Sequence, residues 1–160
     1  MIDDPAWHRA LPGAPALAYR AARQALASEG APPGGLVLVF GDDAQVRRLN
    51  RDFRGRDRPT NVLSFPQDGS TGCFGEVILA RQQICREAAT QGKRRLAHLA
   101  HLVVHAVLHL FGHDHQATGE ADRMEWRERH ILADLSIPDP YGPAGRLTRK
   151  RKRRKERPKA

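Results

Sequence analysis

No apolar run in this 160-residue chain approaches the roughly twenty residues that cross a bilayer, so a transmembrane helix is excluded. The N-terminal stretch lacks a basic start followed by an apolar segment and a cleavage site, and a secretory leader is not expected. Cysteine is scarce. Cys73 and Cys85 form no C-x-x-C pair and do not make an exported disulfide framework, so both are expected to be ordinary thiols. No internal repeat is visible. These absences predict a soluble, cytoplasmic, single-domain protein with no membrane partner, long enough to bury a sizeable core.

Net charge is also missing from most of the chain. Ten of the 27 lysines and arginines fall in Arg146–Ala160 beside a single acid, Glu156, so this tail holds the whole formal +9 and residues 1–145 balance to zero. Leu147 is its one large apolar group, which cannot build a core. The tail is expected to be disordered and drawn to polyanions. The expected division is an ordered domain over 1–141 and a basic tail over 142–160.

Short apolar segments at Leu36–Phe40, Asn61–Phe65 and Phe74–Ala80 read as strands. Between them lie helical patterns. One runs from Pro15 toward Gly30 on Leu17, Ala18, Ala21, Ala22, Ala25 and Leu26; another is capped by Asp42 or Asp43 and extends through Leu49. Others cover Gln82–Gln91, a segment starting near Leu96, and Gly119–Leu135 with Met124, Glu128, Ile131, Leu132 and Leu135 at helical spacing. Few strands separated by helices predict an α+β domain, a small mixed β-sheet covered by helices.

The segment from Leu96 carries the chemistry. Between His101 and Phe111 every residue is apolar except His101, His105 and His109, and Gly-His-Asp-His follows at Gly112–His115. A spacing of four places the three rings on one stripe of a helix that is otherwise apolar. Buried imidazoles need partners, and a metal ion supplies one. His101 and His109 are roughly 12 Å apart along the axis, too far to share one ion. His105 and His109 lie one turn apart, next to a glycine that can stop the helix, with His113 or His115 as third ligand. Three neutral nitrogens would leave a fourth position open for water, the pattern of a catalytic Zn2+ on a zincin-like metal-binding helix. His101 is expected to take a hydrogen-bonded role within the core or to line the cleft.

Taken with its neighbours, this segment resembles the YbeY endoribonucleases, also called rRNA maturation factors. The resemblance rests on His105–His115, on Leu49–Pro66 with its basic turn, on Gly75-Glu76-Val77-Ile78, and on the closing Ile137–Tyr141. It implies that His105, His109 and His115 bind one zinc and that Arg54, with His105, is catalytic. It further implies cleavage of single-stranded RNA in small-subunit rRNA 3′-end maturation and in ribosome quality control. The implied partners are ribosomal RNA and the ribosome, with a ribosome-associated GTPase and a small-subunit ribosomal protein. Ala106, His113 and Glu76 stand where the family carries Gly, Tyr and Asp. The family also opens with a strand before the part that matches Asp4–Trp7, so either the sheet lacks an edge strand or the given start is late.

Within that frame a guanidinium at Arg54 matches phosphate oxygens in a two-pronged way, and Arg51, Arg56 and Arg58 extend an RNA-facing patch. Asp114 and His113 are candidates to orient a ligand imidazole from behind. Two alternatives compete: a zinc metallohydrolase acting on peptide, and a non-catalytic ribosome-assembly factor with a structural zinc. The peptidase reading meets a specific obstacle. H-E-x-x-H proteases carry their general base directly after the first histidine, where this chain has Ala106.

The tail generates a first prediction. If about five of its charges contact phosphates, deleting Arg146–Ala160 makes the log-log salt dependence of single-strand RNA binding shallower by about three to four units. Titrations of both proteins across a salt series measure this. Equal slopes would mean the tail is a solvated appendage.

Overall fold

The structure, a computed structural model, describes residues 4–113 and 118–142. Asp114, His115 and the basic tail beyond Gly142 lie outside the described residues. Within them the order is α1 (Ala6–Ala10), α2 (Ala14–Ser28), β1 (Gly35–Gly41), α3 (Asp43–Arg54), β2 (Val62–Pro66), β3 (Cys73–Ala80), α4 (Arg81–Gln91), α5 (Arg95–Leu110) and α6 (Thr118–Asp134). This is the expected α+β arrangement. The short α1 was not anticipated. It is held by the indole of Trp7, which is fully buried and donates to the Gly41 carbonyl at 2.8 Å.

The three described strands form one mixed sheet in the order β1-β3-β2, with β3 parallel to β1 and antiparallel to β2. Central β3 is buried on both faces, and its period of two divides the interior. Val77 and Leu79 enter the main core with Leu38 and Phe40, whereas Ile78 and Ala80 pack with Val46 of α3 and Leu63 of β2. At the open edge of β1, the backbone N–H of Asp4 donates to the Phe40 carbonyl at 3.1 Å. Arg81 donates to the Asp4 carboxylate at 2.6 Å and holds its pKa below the usual value, although burial acts the other way.

Local signals explain the element ends. Asp42 caps α3 by accepting from the Gln45 N–H at 2.8 Å. Gly112, at φ 87°, turns the chain out of α5 where a side chain would be strained. Gly75, at φ 154°, lets three elements meet: an added Cβ would lie 2.6 Å from the Phe65 carbonyl and 3.0 Å from Leu110. That close approach seats the C-terminal end of α5 against β2 and β3.

Helix α5 is the centre of the packing. Leu99, Val103, Val104, Val107 and Leu108 are fully buried, and α2 lies against the helix through a stripe of alanines, Ala14, Ala18, Ala21 and Ala25. Small residues let the two backbones approach, and the space is already filled. Ala21→Leu is therefore expected to destabilise the protein by about 1–3 kcal/mol. Ala27→Leu on the exposed face of the same helix should stay within about 0.5 kcal/mol. Urea denaturation of both variants checks the packing.

Candidate functional site

One face of α5 opens onto a cleft of about 760 Å³ whose far wall is built from β2 and the turn before it. Two adjacent stripes of the helix line it. His101, His105 and His109 form one; Leu102, Ala106 and Leu110 form the other. The opposite wall carries Arg54, Arg56, Asn61, Val62, Ser64 and Pro66, and Tyr141 closes one end. The expected histidine stripe and two of the four expected arginines thus share one concavity.

The imidazoles are oriented by a carboxylate that the sequence reading placed only within an apolar stripe. Glu128 of α6 has no exposed surface, and three groups surround it. His105 Nδ1 lies 2.6 Å from Oε1; His101 Nε2 lies 2.7 Å and the Tyr141 hydroxyl 2.5 Å from Oε2. Burial alone would raise the Glu128 pKa. The hydrogen bonds from His101 and His105 outweigh it and bring the value down to about 2. An ionised carboxylate only accepts, so all three neighbours donate. Burial, together with the Glu128 carboxylate, pushes the Tyr141 phenol well above its ordinary pKa, so it remains a donor.

The consequence falls on His105. With Nδ1–H given to Glu128, a neutral ring presents the lone pair of Nε2 to the cleft, where His109 Nε2 lies 3.0 Å away. Two nitrogens bound to one zinc at tetrahedral geometry would be about 3.3 Å apart, so this pair fits a shared ion. A carboxylate behind a ligand histidine is the usual support of such a ring. A second grouping is present among the described residues: His101, His105 and Glu128 offer atoms all within 4.8 Å of one another and could hold a metal ion.

The remaining candidates separate. Arg54 donates to the Ser64 carbonyl at 2.9 Å and its guanidinium sits 5.7 Å from the Phe65 ring centre, so it is aimed while most of its donors stay uncommitted among the described residues. Arg56 lines the same cleft. Arg51 instead pairs with Asp52 at 3.0 Å and faces another concavity beside Arg47 and Arg48. Exposed Arg58 accepts at its carbonyl from buried Asn50. His113 lies at the cleft end with Nε2 on Glu29 at 2.9 Å. Deeper in, Glu87 joins buried His98 at 2.9 Å to Asn61 at 3.0 Å, tying α4 and α5 to the cleft wall. Glu87, Glu128 and Tyr141 were missed as site residues; for Glu128 the signal was a carboxylate among Met124, Ile131 and Leu132 on an apolar face.

A family model described as endoribonuclease YbeY matches residues 16–136. The endoribonuclease YbeY of Parvibaculum lavamentivorans is 49% identical over 137 residues, covering 77% of this chain and 74% of that protein. That of Azorhizobium caulinodans is 47% identical over 149 residues, covering 88% and 93%. The solution structure of TM1509 from Thermotoga maritima matches the fold with a TM-score of 0.55 at 20% identity, covering 91% of this chain and 97% of that one.

Removing the buried carboxylate should be costly. Glu128→Ala is expected to destabilise by about 3–5 kcal/mol, since it strands two imidazoles, and Tyr141→Phe by about 1 kcal/mol. The depressed pKa sets the sign with pH. The advantage of wild type over Glu128→Gln is full above the ordinary value of 4.5 and shrinks as pH falls toward about 2. Urea melts across this range test it.

Proposed function

Given that the chain belongs to the YbeY endoribonuclease family, we propose that it is a zinc-dependent, single-strand-specific endoribonuclease acting in the cytoplasm on ribosomal RNA, in small-subunit 3′-end maturation and ribosome quality control. The single observation that carries the reading is the meeting, in one cleft, of the His105–His109 nitrogen pair and the guanidiniums of Arg54 and Arg56. His105, His109 and His115 would hold the ion. When bound, zinc lowers the pKa of a water ligand and neutralises charge on the attacked phosphate.

The chain's own residues do the rest. Glu128 fixes the tautomer of His105, and through it the direction of Nε2. Its three donors leave little room for Glu128 to serve as a ligand itself, which favours the histidine set over His101, His105 and Glu128. Arg54, braced by the Ser64 carbonyl and the Phe65 ring, would grip the scissile phosphate from the far wall, with Arg56 beside it. Asn61 is held by Glu87 through its amide nitrogen and offers the remaining oxygen as an acceptor in a wall otherwise rich in donors. Arg51 and Arg58 would contact RNA beyond the cleft.

Two substitutions separate metal from phosphate. His109→Ala is expected to lose zinc and cleavage together, whereas Arg54→Ala keeps zinc and fold and loses at least about tenfold in turnover of single-stranded RNA. Zinc analysis and cleavage assays on the same preparations read both, with double-stranded RNA and a casein-like peptide as competing substrates. Stoichiometric zinc and normal activity in His109→Ala would remove this ligand. Peptide hydrolysis without RNA cleavage would favour the peptidase, and ribosome maturation by a cleavage-dead variant the assembly factor.

A further inference from the structure

Next to the metal cleft, sharing Gly112 and His113 with it, lies a second concavity of about 640 Å³. Its distinctive element is Trp126 of α6, an indole 57% exposed although the chain has only one other tryptophan, Trp7, and that one is fully buried. Leaving so large an apolar ring in water is unfavourable unless something covers it.

The ring is not loosely hung on the surface. His130, one turn later, donates from Nδ1 to the Trp126 carbonyl at 2.8 Å, which fixes its imidazole. That imidazole lies against the indole with ring centres 3.8 Å apart and planes inclined by 35°. One face of Trp126 is therefore backed, and the ring also lines the concavity. Arg123 and Arg127 flank it, the latter tied at 2.9 Å to Glu29, whose other oxygen meets His113.

We propose that the Trp126–His130 pair is a stacking platform for a nucleobase of the RNA strand, flanking the nucleotide that occupies the metal cleft. The proposal rests on the endoribonuclease reading. The two concavities share Gly112 and His113, which sets the ring beside the cleft within reach of a strand that leaves it. The charge of the lining points to base and not backbone: Glu120 and Asp122 offset Arg123 and Arg127, so phosphates gain little there. The carboxylates can accept from exocyclic amino groups, which favours adenine or cytosine over uracil. Base–aromatic stacking of this kind tolerates sequence and adds affinity without entering the chemistry.

The test uses the full-length protein and oligoriboadenylate of about 12 nucleotides. Rapid mixing reads tryptophan emission before turnover. With Trp7 buried, saturable quenching reports Trp126. Trp126→Ala is expected to bind about tenfold more weakly and to keep kcat at saturating RNA, while Trp126→Phe restores most of the affinity. The slope of affinity against salt should be the same in Trp126→Ala and wild type, because stacking releases few counterions. Oligoribouridylate should bind more weakly than the adenylate to wild type, and equally to Trp126→Ala.

Unquenched emission with normal RNA cleavage, or unchanged affinity in Trp126→Ala, would overturn the platform and leave the endoribonuclease intact. Absence of both RNA binding and cleavage in wild type would overturn the reading beneath it. Since Trp126 is exposed, loss of fold in the alanine variant is not expected, and circular dichroism of the phenylalanine variant controls for it.

Discussion

Burying an ionised carboxylate costs several kcal/mol unless its lone pairs are filled, and Glu128 is buried completely between α5 and α6. Its partners come from two places, His101 and His105 on α5 and Tyr141 beyond α6. The observed docking of α5 against α6 meets that demand. Advancing α6 by one residue would rotate Glu128 by about 100° and strand the two imidazoles of α5. The same bond that sets the helix register fixes the tautomer of His105, so completion of the fold and orientation of the candidate ligand are a single event.

Elsewhere the histidine run obeys the same rule. His98 meets Glu87 from α4, and His113 meets Glu29 at the end of α2, so each ring joins α5 or its exit to another element. The contact between His105 and His109 differs in kind, nitrogen facing nitrogen at 3.0 Å. As neutral rings they meet through an N–H···N hydrogen bond, His109 donating from Nε2 to the lone pair that His105 presents. It is the one nitrogen–nitrogen contact among these histidine pairings, and the proposed ion would take the place of its proton.

Much of this was legible in the sequence because it depends on local periodicity. The four-residue spacing marked the stripe on α5, Gly112 its end, Asp42 or Asp43 the cap of α3, and the apolar run Phe74–Ala80 a strand. What was not legible depends on partners remote in the chain. Glu128 lies 23 residues from His105, and Glu29 lies 84 from His113. A glutamate among Met124, Ile131 and Leu132 looks like a flaw in an apolar stripe until α5 is laid against it. Nor does strand pattern reveal pairing order: β3 joins the sheet between β1 and β2, parallel to one and antiparallel to the other. Of the basic turn, composition marked every arginine alike; backbone geometry turns Arg54 and Arg56 toward the cleft and Arg51 away.

The two walls of the cleft consequently stand in different relations to stability. On α5 the histidine stripe runs beside Leu102, Ala106 and Leu110, side chains that also help fill the contact with the sheet, and the approach at Gly75 leaves no slack in it. A packed layer of this kind is close to incompressible, so the imidazoles cannot shift without the core shifting. The facing guanidiniums stand at the exposed end of α3 and on the turn after it, and that of Arg54 is held by one carbonyl and one ring. Changes there would alter the proposed grip on a phosphate while leaving the nitrogen pair in place. The placement of the candidate metal ligands is thus inseparable from folding in this architecture, whereas the guanidiniums proposed to recognise the strand are surface groups that the core does not need.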